Sequence, residues 1–194
     1  MSGWLLFLLL LVFTVLVSVV MTTWRTGMSP HPSHTIARTA IFSEVKRLLD
    51  ARQPQCLIDL GSGWGHLVIP LARQFPQHQV VGYELSFFPW LVSVFLKKLL
   101  RLENLDLHRK NFLKADLTDA NLLICYLVSP TMEQLSSKLQ QLENKPRWLI
   151  SHFFALPEFQ PVNQFELPDL YRSPIYVYCL EKQSKECNNP CLKP

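Results

Sequence analysis

From Trp4 to Trp24 the chain carries no charged side chain, and only Thr14, Ser18, Thr22 and Thr23 interrupt Leu, Val, Phe and Met. Beyond it the pattern changes to short apolar runs alternating with amphipathic ones. Ala37, Ile41, Val45, Leu48 and Leu49 recur at helical spacing, predicting a helix from about His34 to Ala51 that Ser33 can cap. Strands are predicted at Leu57–Leu60, Gln79–Leu85, Asn104–Arg109, Asn121–Leu127 and Arg147–His152, and helices at about His66–Phe75 and after Ser129-Pro130. In the last helix Met132, Leu135, Leu139 and Leu142 share one face, and Pro130 suits a first turn. Two final strands, near Phe165 and at Ile175–Leu180, alternate as a partly exposed antiparallel pair does. Strands alternating with helices imply an α/β fold, a mainly parallel sheet covered on both faces.

The N-terminal run changes the picture first. About 20 residues at 1.5 Å each reach about 30 Å, the hydrocarbon thickness of a bilayer, and Trp4 and Trp24 stand where interfacial aromatics collect. The expectation is a transmembrane anchor over residues 1–25. A cleaved signal peptide is the rival, but no basic side chain precedes Trp4, the apolar core is too long, and no small-x-small site follows. Arg25, Arg38, Lys46 and Arg47 all follow the run, so the positive-inside rule predicts a single pass with the globular part on the cytoplasmic side, in a bacterial inner membrane or its organellar equivalent. Residues 26–33, with Gly27, Pro30 and Pro32, form a short linker; the globular domain covers 34–182, and 183–194 is a polar tail.

Composition narrows the partners. The chain has 194 residues and a net charge of +4, which fits a domain near anionic lipid, and no Lys/Arg block points to nucleic acid. Cys56 and Cys125 fall in apolar runs and suit the core, while Cys187 and Cys191, in the tail, lack partners for a metal site, so no metal is expected. The helix predicted after Glu84, Phe87–Leu96, is apolar nearly all round and too short to span. It is either buried between the sheet and a neighbour, or it rests an outer face on lipid with Lys97, Lys98 and Arg101 at its basic end.

Candidate chemistry gathers at one turn. Leu57-Ile58-Asp59-Leu60-Gly61-Ser62-Gly63-Trp64-Gly65 reads as strand, tight loop and helix start, and Glu84 ends the next strand nineteen residues after Gly65. Glycines let backbone approach a ligand and leave helix N-terminal amides to face it. An acid about 20 residues on is where a βαβ nucleotide site grips ribose hydroxyls. Asp59 can also cap the turn by accepting backbone amides.

The loop is G-x-G-x-G preceded by Asp, not G-x-G-x-x-G, and resembles motif I of the S-adenosylmethionine-dependent methyltransferases, with Glu84 at their ribose-binding acid. The resemblance implies a seven-stranded Rossmann-like methyltransferase sheet, with S-adenosylmethionine as cofactor held by Asp59, Gly61, Ser62, Gly63, Trp64, Gly65, Glu84, Leu85, Asn111 and Phe112. Asn111 stands where an acid or amide meets the adenine amine, and its amide oxygen can accept. Phe112 is either its apolar neighbour there or ordinary core. Tyr126-Leu127-Val128-Ser129-Pro130 would face the sulfonium, and it is not the Asn-Pro-Pro-Tyr of enzymes acting on planar amines. Methyl transfer is a direct displacement needing no nucleophile on the enzyme, so positioning and electrostatics provide most of the rate. Tyr126 is the one catalytic candidate, to orient an amine acceptor, with packing as the alternative. His31, His34 and His66 are given no role.

More narrowly, Pro30–Ser33, Val81–Leu85 followed by Pro89–Val92, Ser129-Pro130 with its helix, and Ser151–Pro161 resemble one group. That group is the single-span mitochondrial protein-lysine methyltransferases of the ATP synthase c-subunit and the adenine nucleotide translocase, with their bacterial relatives. The resemblance implies a membrane-anchored enzyme methylating a lysine of a membrane protein, with membrane lipid as a further partner. Two rivals stand beside it: methylation of a lipid-soluble small molecule, and a non-catalytic module that keeps the fold.

Overall fold

The computed structural model describes residues 3–10, 12–13, 35–49 and 53–181. Elements follow in the order α1 (Thr35–Leu48), β1 (Cys56–Leu60), α2 (Val68–Gln74), β2 (Gln79–Glu84), α3 (Phe87–Leu99), β3 (Leu105–Arg109), a 3₁₀ turn (Phe112–Lys114), β4 (Leu122–Cys125), α4 (Ser129–Gln141), β5 (Trp148–His152), β6 (Asn163–Glu166) and β7 (Pro174–Cys179). The strands form one seven-stranded sheet in the order β3-β2-β1-β4-β5-β7-β6. β1 to β5 run parallel, and β7 is antiparallel to both β5 and β6. The mainly parallel sheet and the antiparallel end pair are as the alternation of apolar runs implied, and the seven-stranded Rossmann-like form is as the resemblance implied.

Burial on both faces makes β4 apolar throughout and β1 apolar except for Asp59. In β4, Leu122 and Ile124 join Ala37, Ile41, Val45, Leu71 and Ala72 of α1 and α2 in one core. Leu123 and Cys125 join Met132, Leu135 and Leu139 of α4 in the other. Side-chain amides tie the strand entries. Asn121 Oδ1 accepts the Cys56 N–H at 2.8 Å. Asn104 Nδ2 donates to the carbonyls of Ala72, Phe75 and His78.

Two expectations are corrected. No helix among the described residues is long and apolar enough to cross a membrane. Residues 3–10 and 12–13 are helical and exposed, while 14–24, the linker 26–33, His31, His34, Cys187 and Cys191 lie outside the described residues. A bilayer demands unbroken helical hydrogen bonding over roughly 18–20 residues, and apolar composition alone does not provide it. The single-pass placement on the cytoplasmic side therefore falls, and membrane lipid as a partner loses its support with it. The second correction concerns α3. Pro89 and Ser93 are buried and Trp90 Nε1 donates to the Leu107 carbonyl at 3.1 Å, docking the helix on β3. Its other side is exposed, with Phe95 at 64% and Leu99 at 65%, so the helix is not enclosed between the sheet and a neighbour.

Candidate functional site

β1 ends at Leu60 and the chain turns at once through Gly61, Gly63 and Gly65, with φ of +86°, +53° and +83°. At Gly65 the requirement is twofold: the left-handed backbone favours glycine, and a Cβ would lie 2.6 Å from Ile69 Cδ1 and 3.0 Å from Ser93 Oγ. Gly82, inside β2, is needed for space alone. A Cβ there would lie 2.8 Å from Leu107 Cδ2 and 3.0 Å from Ser62 Oγ, so its absence lets the loop settle on the sheet.

The loop amides are engaged within the protein. Gly61 and Ser62 both donate to the Tyr83 carbonyl at 2.9 Å, and Gly65 donates to the Ser62 carbonyl at 3.0 Å. Gly63 donates to Glu84 Oε2 at 2.9 Å, while Glu84 Oε1 accepts the Ser86 N–H at 2.6 Å. Ser93 Oγ reaches from α3 to the Gly63 carbonyl at 3.1 Å. The helix expected from His66 begins only at Val68, and Leu67 makes no side-chain cap. The amides of Gly61, Ser62, Gly63 and Gly65 are thus turned into the protein.

Side chains around the loop have unused capacity. Asp59 is buried, and neither its Oδ2 nor Ser62 Oγ has a hydrogen-bond partner. Burial, reinforced by the nearby Glu84 charge, pushes the Asp59 carboxyl up from its ordinary 3.8 to about 7. A buried polar atom without a partner is an expected binding point. A cationic amine beside Asp59 would satisfy it and draw the carboxyl back to its ionised form. Glu84 keeps further lone pairs on both oxygens, at the carboxyl end of β2 and next to the exposed Leu85.

Asn111 caps the 3₁₀ turn, its Oδ1 accepting the Leu113 N–H at 2.9 Å. Phe112 is buried in the second core, so the core alternative describes most of its ring. Lys138 of α4 holds this turn from below, its Nζ donating to the carbonyls of Phe112, Leu113 and Ala115. Burial lowers its ammonium from the usual lysine value. Trp64 is half-buried and His66 exposed.

Tyr126 follows β4 and is 40% exposed. Its ring lies 5.1 Å from the His152 ring and 6.3 Å from that of Phe153. Sequence reasoning gives His152 and Phe153 no role, since a strand's pattern does not show which residues its end brings beside Tyr126. The available signal was the polar His152 closing an apolar run at the sheet's carboxyl edge. A groove of about 460 Å³ between α1 and the β6 region, lined by Thr35, Ile36, Thr39 and Phe165 among others, includes none of these residues. Among the described residues no cluster of His, Cys, Asp or Glu is arranged to hold a metal ion.

Residues 59–163 match the family model of the ANTKMT methyltransferase domain, a stretch that holds Asp59, the glycine loop, Glu84, Asn111, Tyr126 and His152. The chain is similar to the adenine nucleotide translocase lysine N-methyltransferase of Mus musculus, 33% identical over 113 residues, 57% of this chain and 48% of the mouse protein. It thus spans about half the length of that relative. It is also similar to a protein-lysine N-methyltransferase of Saccharolobus islandicus (strain REY15A), 20% identical over 158 residues, 78% of this chain and 95% of the archaeal one. Among solved structures, an RNA methyltransferase from Salinibacter ruber in complex with S-adenosyl-L-homocysteine superposes with a TM-score of 0.67 at 21% identity, covering 80% of this chain and 97% of that one. A human methyltransferase 10 domain containing protein gives 0.64 at 11% identity, over 86% and 95% of the two chains. At these identities the structural likeness shows the fold.

Proposed function

We propose, for a chain that belongs to the ANTKMT methyltransferase domain family, an S-adenosylmethionine-dependent transfer of a methyl group to the side-chain amine of a protein lysine. S-Adenosylmethionine supplies an electrophilic methyl on a sulfonium, together with an α-ammonium, ribose hydroxyls and an adenine amine. The residues present suit each of those groups. Asp59 and Ser62 offer unpartnered buried oxygens for the ammonium end. Glu84 offers carboxylate lone pairs for the ribose, and Leu85 and Asn111 are the residues offered to the base.

The observation that carries the proposal is the unpartnered Asp59 Oδ2 beneath a glycine loop, within the segment matched by the family. The lysine acceptor is supported by the names of the mouse and archaeal relatives. Nothing in the site requires a nucleophile, because the amine lone pair attacks the methyl directly once the ammonium has lost a proton.

Isothermal calorimetry with S-adenosylmethionine tests the first half, and binding near one site per chain is expected. Labelled donor incubated with a cell extract tests the second. Acid hydrolysis of the labelled protein should release Nε-methylated lysine. Label confined to lipid or small-molecule fractions would overturn the lysine acceptor, and absent donor binding would overturn the enzyme as a whole.

A further inference from the structure

Three rings at the carboxyl edge of β4 and β5 have no part in the donor cradle. We propose that Tyr126, His152 and Phe153 form the subsite for the acceptor amine, with His152 Nδ1 taking its proton. This deepens the proposed function and rests on it.

Position comes first. Leu60 pairs with Cys125 and Cys125 with Ser151, so Gly61, Tyr126 and His152 are the next residues at one edge of three adjacent parallel strands. The loop and this edge touch, since a Cβ on Gly61 would sit 3.4 Å from Leu127 Cδ2. An acceptor held at Tyr126 is therefore beside the loop that holds the donor.

Backbone strain marks the same place. Phe153 is a non-glycine residue with φ +76°, and its N–H donates to the Pro174 carbonyl at 2.8 Å. Such a conformation is costly and persists where surrounding structure enforces it, commonly at functional sites. Its effect here is to turn the chain so that the Phe153 ring meets Tyr126 at 76° and His152 at 81°, while the side chain stays 38% exposed.

Hydrogen bonding then fixes the chemistry of His152. Asp169 accepts from Ser173 twice, at Oδ1 from the backbone N–H at 2.8 Å and at Oδ2 from the hydroxyl. The Ser173 hydroxyl has one proton, and it is given to a carboxylate that can only accept. Ser173 Oγ must then accept from His152 Nε2, 3.1 Å away. The neutral ring therefore carries its proton on Nε2, and Nδ1 has the lone pair. Burial also lowers the imidazole below its ordinary value, against the opposing pull of Asp169, and so favours the neutral ring. The groups facing it are Tyr126 from β4 and Ser173 and Asp169 from the β6–β7 side, and of these only Asp169 is charged.

The rings of Tyr126 and Phe153, 40% and 38% exposed, attract an ammonium and displace part of its water, and the lost hydration eases release of a proton. His152 Nδ1 takes one proton from the lysine ammonium, leaving the Nζ lone pair to form the N–C bond as the C–S bond of the donor breaks. The proton then passes from the imidazolium to water.

The test uses the full chain with ¹⁵N- and ¹³C-labelled histidine, bound to S-adenosylhomocysteine, with His152 signals assigned by their loss in H152Q. Long-range ¹H–¹⁵N spectra should show the Nε2–H tautomer; a dominant Nδ1–H tautomer overturns the assignment of the base. N-Acetyl-lysine methylamide should then shift the His152 signals, while its neutral norleucine analogue should not. In Y126A the lysine probe should bind about tenfold more weakly, the loss given by removing one aromatic face. His152 signals unmoved by the lysine probe, or moved equally by both probes, overturn the subsite. Failure to bind S-adenosylhomocysteine at all would instead overturn the methyltransferase proposal, so the two failures are distinct.

Discussion

Glu84 Oε2 accepts the amide hydrogen of Gly63 at 2.9 Å, so the acid proposed to grip a ribose also fastens the glycine loop. Its other oxygen holds the Ser86 amide at the start of α3. One carboxylate thus couples the glycine loop, the end of β2 and the next helix. Replacing it should remove the proposed ribose contact and loosen the loop together.

Glu84→Ala should weaken S-adenosylmethionine binding by about 1.5–3 kcal/mol, the range for hydrogen bonds to a charged group. Glu84→Gln should fall between, since its amide oxygen can still accept one backbone N–H. Hydrogen exchange at the Gly63 amide should accelerate in Glu84→Ala even without ligand. Unchanged exchange there would show that the loop holds itself.

Asp59 gives the site a pH dependence of definite sign. Its carboxyl lies at about 7 folded and 3.8 unfolded, so between those values the folded chain binds a proton that the unfolded chain does not. Stability is therefore highest, as far as this group decides it, below about pH 4 and falls as pH rises through 7, by an amount on the order of 4 kcal/mol. Donor binding should run the opposite way, tightening as pH rises through 7 because the ammonium favours ionised Asp59. Urea unfolding at pH 5 and 8 checks the first trend, and Asp59→Asn should flatten it. Calorimetry in buffers of different ionisation enthalpy checks the second, by counting the released proton below pH 7.

Gly82→Ala should destabilise the fold by about 1–3 kcal/mol, the usual result of overpacking, because Leu107 and Ser62 must both give way. Donor affinity should drop with it, since Ser62 is displaced. A melting temperature equal to wild type would mean that both neighbours move freely.

Lys138→Met should free the carbonyls of Phe112, Leu113 and Ala115 and loosen the turn that carries Asn111. The loss expected is about 1–3 kcal/mol of stability, with donor affinity reduced and Lys138→Arg partly restoring both. Chemical denaturation and calorimetry on the pair of variants separate packing from charge, since Met keeps the stem of the side chain and loses its donors.

The sequence by itself determined the order and type of the described elements from Thr35 to Cys179. Apolar periodicity within a short window reports local structure directly, and each predicted strand has a counterpart within a few residues. It also determined the Asp59–Gly65 turn and the spaced Glu84, because a tight turn after a buried strand constrains residue type locally. Tertiary structure decided the rest. That the loop amides close on Tyr83 and Glu84 depends on partners about twenty residues away, and that Ser93 reaches Gly63 depends on how α3 docks. The cluster of Tyr126, His152, Phe153, Ser173 and Asp169 draws on three separate stretches of chain that only the order β4-β5-β7 brings together. The exposed side of α3 could not be read either, because an apolar helix gives no sign of which side its neighbours leave uncovered. At the N-terminus the apolar composition was plain, but a membrane span needs unbroken helix as well as apolar side chains, and no described helix provides that length. Periodicity is a property of neighbours in sequence; a binding site is a property of neighbours in space.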